Sequence, residues 1–275
     1  MSLEVFMTSK RITPGRLAEV ADQLTDRDRL ILTTLRDVRV ATAAQLQRLW
    51  FTDNTPRSNA RMTQRRLQRL VSLGLIARLD RAPGGFGGGS LGHVFTLDVA
   101  GLRLTAKDDR QSVRRPWPVS RLFLAHSLDV TEWHVRLTEA ERTGPVELLD
   151  FQAEPQSWRS FVNMHGTQAV LKPDVFVRLG RGDWEEHWFL EVDRATEHAP
   201  AVRRQLDWYE TYWRSGIEQQ AADGLFPLVL WIAPNPARRD ELGRLIGRLE
   251  PESQALFRVA TVDEALILLV RGLPP

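Results

Sequence analysis

The chain has 275 residues, 43% of them apolar and 26% charged, a globular composition long enough for two ordinary domains with a core each. It contains no cysteine, which excludes a disulfide framework, a thiolate metal site and a cysteine nucleophile. With no signal-peptide opening and no apolar run of membrane-spanning length, a cytoplasmic protein without a membrane partner is expected. The formal charge is only +2, yet Arg11 to Arg81 carries 14 Lys+Arg against 7 Asp+Glu, so the basic excess gathers in the first quarter. The chain's basic residues are almost all arginines, the type suited to bidentate contacts with phosphates and base edges; Lys10, Lys107 and Lys172 are the lysines.

The ordered chain is expected to begin at Thr25, a helix cap, with a helix to about Arg36 that buries Leu30, Ile31, Thr34 and Leu35. A second helix starts near Thr42, with Ala44, Leu46, Leu49 and Trp50 on its apolar side. A third, about Ser58 to Ser72, turns Met62, Leu67, Leu70 and Val71 inward and carries arginines and glutamines elsewhere. Gly74 ends it, and strands Ile76–Leu79 and His93–Leu97 form a two-stranded wing around a glycine-rich tip. The tip lacks the Gly-Lys-Ser/Thr ending of a phosphate-cradling loop and leads into no helix.

Helix, helix, basic helix and hairpin, over residues 20–106, is the order of a winged helix-turn-helix, and double-stranded DNA is the expected partner. Arg61, Gln64, Arg65 and Arg69 on the third helix and Arg78 and Arg81 on the wing are the candidate DNA contacts. The other reading of these arginines is a solvated face on a protein-binding module. A short helix over 97–106, with Asp98 as its cap, closes the module, and the polar, proline-containing stretch 107–118 reads as a linker.

Residues 119–275 alternate helix and strand. A long helix, about Ser120 to Arg142, buries Leu124, Leu128 and Val135 and bears a stripe of His126, Asp129, Glu132 and Trp133. Strands follow at Val146–Phe151, Ser160–Met164, Val170–Leu179 and Glu186–Asp193, then a helix from Ala199 to Trp213. The continuous apolar run Phe226–Ala233 reads as a central strand, and a helix, a strand and a closing helix complete an α+β or α/β mixed-sheet sandwich.

Within it, alternation places Lys172 and Asp174 on one face of one strand and Glu191 and Asp193 on one face of the next. Like charges grouped this way raise free energy unless a cation or proton intervenes. Asp174, Glu191 and Glu132 are therefore candidate ligands for Mg²⁺ or Mn²⁺, with Lys172 as a charge-neutralising partner. The alternative is a scaffold in which Asp174 and Asp193 cap turns and Glu191 pairs with an arginine such as Arg203.

Pro173-Asp174, Glu191-Val192-Asp193, the helix with Glu132, and Gln205 with Tyr209 together resemble the core of the PD-(D/E)xK nuclease superfamily. The resemblance implies a restriction-endonuclease-like mixed sheet. It makes Asp174 and Glu191 metal ligands, Glu132 the helix glutamate, and Gln205 and Tyr209 the helix motif of RecB-like nucleases. Asp193 departs from it, standing where the catalytic lysine belongs.

Thr25 to Leu79, His126 to Val130 and Phe189 to Glu197 extend the similarity over about residues 20–235, to the replication-relaxation family of actinobacterial plasmid and mobile-element proteins. What this implies is a DNA-binding protein acting in replication or relaxation. The rival readings are a Mg²⁺- or Mn²⁺-dependent endonuclease or nickase, and a transcriptional regulator that homodimerises through its second domain.

Overall fold

The computed structural model describes residues 13–79, 92–106, 121–163 and 166–272. Its contacts divide the chain into two compact units, Met1–Val135 and Arg136–Pro275. Among the described residues no helix is long and apolar enough to cross a membrane.

In the first unit, α1 (Pro14–Asp22), α2 (Asp26–Val38), β1 (Val40–Thr42), α3 (Ala43–Trp50) and α4 (Pro56–Ser72) precede β2 (Ile76–Leu79), β3 (Val94–Leu97) and α5 (Val99–Thr105). Threonines start the helices. Thr13, Thr25, Thr42 and Thr55 each accept a bond from a backbone N–H in the first turn. At Thr25 and Thr42 the cap's own backbone N–H donates in return to the Asp28 and Gln45 side-chain oxygens, so two orphan donors are satisfied at once. α4 ends at Gly74, whose φ of 71° lies in the left-handed region.

Around these caps Ile31, Leu35, Leu46, Leu67, Leu70, Ile76 and Phe95 form one core. Several details differ from expectation. α1 precedes Thr25, capped by Thr13 and opened by Pro14. Leu30, Met62 and Val71 are exposed, because Leu32, Asn59 and Thr63 take the inward positions of their helices. Ala44 is exposed as well. The wing gains a third strand, since β1 pairs antiparallel with β3 in the order β1-β3-β2. The glycine-rich tip and the 107–118 stretch lie outside the described residues.

α6 (Arg121–Thr143) carries the division between units within it, at Val135, rather than at the 107–118 stretch. Its first turns belong to the first unit. Leu124 and Leu128 are buried with Val40, Leu79 and Val94. Thr131 Oγ1 donates to Val40 O at 2.7 Å, and Gln45 Nε2 donates to Leu128 O at 3.0 Å.

The second unit continues with β4 (Glu147–Ala153), β5 (Arg159–Val162), β6 (Gln168–Leu171), β7 (Val175–Arg181), β8 (Trp184–Val192), α7 (Ala199–Ser215) and α8 (Ile217–Ala221). It ends with β9 (Leu228–Ala233), α9 (Pro236–Ile246), α10 (Pro251–Gln254), β10 (Phe257–Thr261) and α11 (Val262–Arg271). Its main sheet has the order β10-β9-β8-β7-β4, antiparallel across β4, β7 and β8 and parallel across β8, β9 and β10. This is the mixed sheet, flanked by helices, that the alternation of helix and strand led one to expect.

Alternation sorts the two faces. Phe176, Phe189, Val229 and Trp231 meet Leu206, Tyr209 and Tyr212 of α7 and Leu242 of α9, with Phe161 and Leu171 of the β5-β6 hairpin closing that side. α11 packs on β9 and β10 through Ala265 and Leu269. Residues Val170 to Leu179 are not one strand. The chain leaves the β5-β6 hairpin at Leu171 and joins the main sheet at Val175, and Pro173, which has no N–H for a ladder, sits at the crossing.

Candidate functional site

The crossing at Pro173 sets the position of Asp174. β7 and β8 pair from Val175 opposite Leu190, so Asp174 and Glu191 are the next residues on adjacent antiparallel strands. Asp174 Oδ2 accepts from Val192 N at 2.8 Å, and the Asp174 carbonyl accepts from Glu154 N at 3.0 Å. One acid thus clips the end of the strand that carries the other. Glu191 faces α7, where Tyr209 donates its hydroxyl to Glu191 Oε1 and Gln205 adds a side-chain bond. Gln205 and Tyr209 lie four residues apart, one above the other on the helix face turned to the sheet.

Glu191 is 4% exposed and Tyr209 fully buried. Burial first, and then the charge of Asp174, hold the Glu191 carboxyl well above the usual carboxylate range, against the opposing bonds from Tyr209 and Gln205. Burial and the neighbouring Glu191 likewise push the Tyr209 phenol well up. Both shifts favour the protonated forms, which keeps the Tyr209 hydroxyl a donor to Glu191.

The other acids and the lysine of the expected site go elsewhere. Asp193 is locked to Arg238 of α9, with Nε to Oδ2 at 2.7 Å and Nη2 to Oδ1 at 3.3 Å, and both side chains are nearly inaccessible. Arg238 also donates to Glu241 at 3.0 Å and to the Glu197 carbonyl at 2.9 Å. Lys172, placed before the strand break, does not share a continuous strand face with Asp174. It is exposed, with Nζ 4.7 Å from the centre of the Trp158 ring. Glu132 accepts from Arg48 Nη1 at 2.6 Å and Gln45 Nε2 at 3.2 Å within the first unit. Among the described residues no group of three or more His, Asp or Glu side chains is placed to hold a metal ion. Asp174 and Glu191 are two neighbouring acids, one fewer than such a group needs, and one oxygen of each already accepts a hydrogen bond. Arg203, the scaffold reading's partner for Glu191, is exposed, and Tyr209 and Gln205 take that place.

Sequence reasoning also missed a second acid–tyrosine pair, between α7 and α8. Tyr212 donates to Glu218, and Arg159, stacked 4.5 Å from the Phe176 ring centre, donates to the same carboxylate at 3.2 Å. The i, i+3 spacing of Tyr209 and Tyr212 was the available signal. For Arg238, 45 residues from Asp193, there was none.

On α4 the arginines divide into two sets. Arg66 and Arg69 reach the fully buried Asp28 at 3.2 and 2.8 Å, and Arg69 also donates to Gln23 O, so Arg69 ties α4 to α2. Arg57, Arg61, Gln64 and Arg65 are exposed, as is Arg78 on β2, while Arg81 lies outside the described residues. A cleft of about 850 Å³ runs between α3, α4 and the wing strands, with Gln64, Gln68 and Arg78 on its wall.

No curated protein matches the chain. Among solved structures, restriction endonuclease FokI bound to DNA aligns with 94% of this chain at 13% identity and a TM-score of 0.26, and the chain spans 45% of that protein. The model of the replication-relaxation family matches residues 32–229, well over half of the chain, and the protein belongs to that family.

Proposed function

We propose that this replication-relaxation protein binds double-stranded DNA of a plasmid, integrated element or phage through the outer face of α4, and acts there in replication or relaxation. The observation that carries the reading is the sorting of the α4 arginines. The helix holds no acidic residue, and Arg61 and Arg65 stand exposed on its outer side while Arg66 and Arg69 are used to anchor it. Cations left in water beside a wing match a polyanion with a groove of helix width. Charge reversal at Arg61 and Arg65 is expected to abolish duplex binding in a mobility-shift titration at moderate salt. Unchanged binding would sink the reading.

A second reading, a Mg²⁺- or Mn²⁺-dependent endonuclease or nickase, is favoured by the enclosure of Glu191 beside Asp174. When bound, such an ion supplies a hydroxide nucleophile and charge stabilisation at the phosphodiester. Asp174 and Glu191 would hold it, and Tyr209 and Gln205 fix the Glu191 carboxylate. Arg238 satisfies Asp193 and leaves the usual lysine position without a free cation. Nicking of supercoiled DNA that disappears in Asp174→Ala, together with calorimetric metal binding lost in the same variant, is the expected result. Intact metal binding in Asp174→Ala would rule this site out.

A further inference from the structure

We propose that Arg57, Arg61 and Arg65 read guanines in the major groove, making the chain selective for duplexes with guanines at the positions these side chains reach. The inference rests on the duplex-binding reading and adds the base that is recognised. The three arginines recur every fourth residue, so each follows the last by about 6 Å along α4 and about 40° around it. They form one outward stripe opposite the buried row of Asn59, Thr63, Leu67 and Leu70. All three are exposed, and among the described residues none makes an ion pair or hydrogen bond, whereas Arg66 and Arg69, on the flank facing α2, are committed to Asp28.

Arg57 lies in the first turn, behind the Thr55 cap and Pro56, at the end of the helix that enters a groove first. A guanidinium there matches the O6 and N7 acceptors of guanine with two parallel bonds, each such pair discriminating about 5- to 100-fold against the wrong base. A lysine keeps the charge that a phosphate needs and loses the fork that guanine needs. Substitution by lysine therefore separates base reading from backbone attraction.

The test uses the whole 275-residue chain. Duplexes selected from a random library by the wild-type protein are expected to carry guanines, and Arg57→Lys, Arg61→Lys and Arg65→Lys should each relax preference at one position while retaining affinity for unselected duplex. Replacing the selected guanines by 7-deazaguanine, which lacks the N7 acceptor, should weaken wild-type binding about 5- to 100-fold. It should add nothing further at the position already relaxed by a lysine variant. If duplex is retained without guanine preference, or if lysine variants and 7-deazaguanine leave selectivity intact, this inference fails and duplex binding stands. If the wild-type chain retains no duplex at all, both fail.

Discussion

Removing Arg238 should be among the most damaging single changes available in the second unit. Its side chain and that of Asp193 are 6% and 3% exposed, and the guanidinium makes four bonds, two to Asp193 and one each to Glu241 and the Glu197 carbonyl. Arg238→Met leaves Asp193 as an inaccessible carboxylate without a counter-ion, a situation that costs about 3–5 kcal/mol. In a unit of this size that corresponds to a fall in melting temperature of about 10–15 °C. The double variant Asp193→Leu with Arg238→Met removes the orphaned charge and should recover most of the loss, since apolar replacements of buried pairs are commonly neutral. Thermal unfolding of wild type, both single variants and the double variant measures the cycle. A loss below about 1 kcal/mol in Arg238→Met, or a double variant as unstable as that single one, would refute the view that Asp193 is a structural anchor.

Arg61→Ala should leave stability within about 0.5 kcal/mol, whereas Arg69→Ala, which strips a charged bond from buried Asp28, should cost about 1–3 kcal/mol; chemical denaturation followed by circular dichroism separates them. Glu191 has a raised carboxyl, so the folded state holds a proton that the unfolded state releases, and stability declines as pH rises above the ordinary carboxylate range. Glu191→Gln should flatten that decline and gain most over wild type at alkaline pH, with melting temperatures at two pH values as the readout. His134, lowered to about 4 by burial with Asp37 partly offsetting, gives the opposite slope. Its contribution is complete above pH 6.5 and falls by up to about 3 kcal/mol toward pH 4, a loss that urea titrations should find diminished in His134→Asn.

The winged helix was legible because its signals are local. Thr25, Thr42 and Gly74 announce helix ends through the chemistry of their own side chains or backbone, and each stands where expected. Thr13-Pro14 is the same kind of signal and reveals α1. Helix periodicity was less decisive on α4, where Met62 and Val71 looked inward and the core instead took Asn59 and Thr63, whose Nδ2 and Oγ1 donate to the Asn54 and Asn59 carbonyls. In the second unit Asp174, Glu191, Gln205 and Tyr209 do converge, since two strand ends and one helix face suffice to bring them together. Lys172 was misplaced because a run of alternating residues does not show which sheet each half joins. Asp193 looked like a lost lysine, and only the tertiary structure supplies Arg238 as the reason an acid is accommodated there.

Where the first unit ends also decides how it can be cut. A fragment stopping at residue 106 would retain every helix and strand of the winged helix and still lack Leu124 and Leu128, leaving Val40, Leu79 and Val94 as an open greasy patch. Gln45 would lose the Leu128 carbonyl and Arg48 the Glu132 carboxylate. Such a fragment should aggregate, while one carried through Val135 should remain monodisperse, so the shortest piece fit for DNA-binding assays includes the front half of a helix that the sequence assigns to its neighbour.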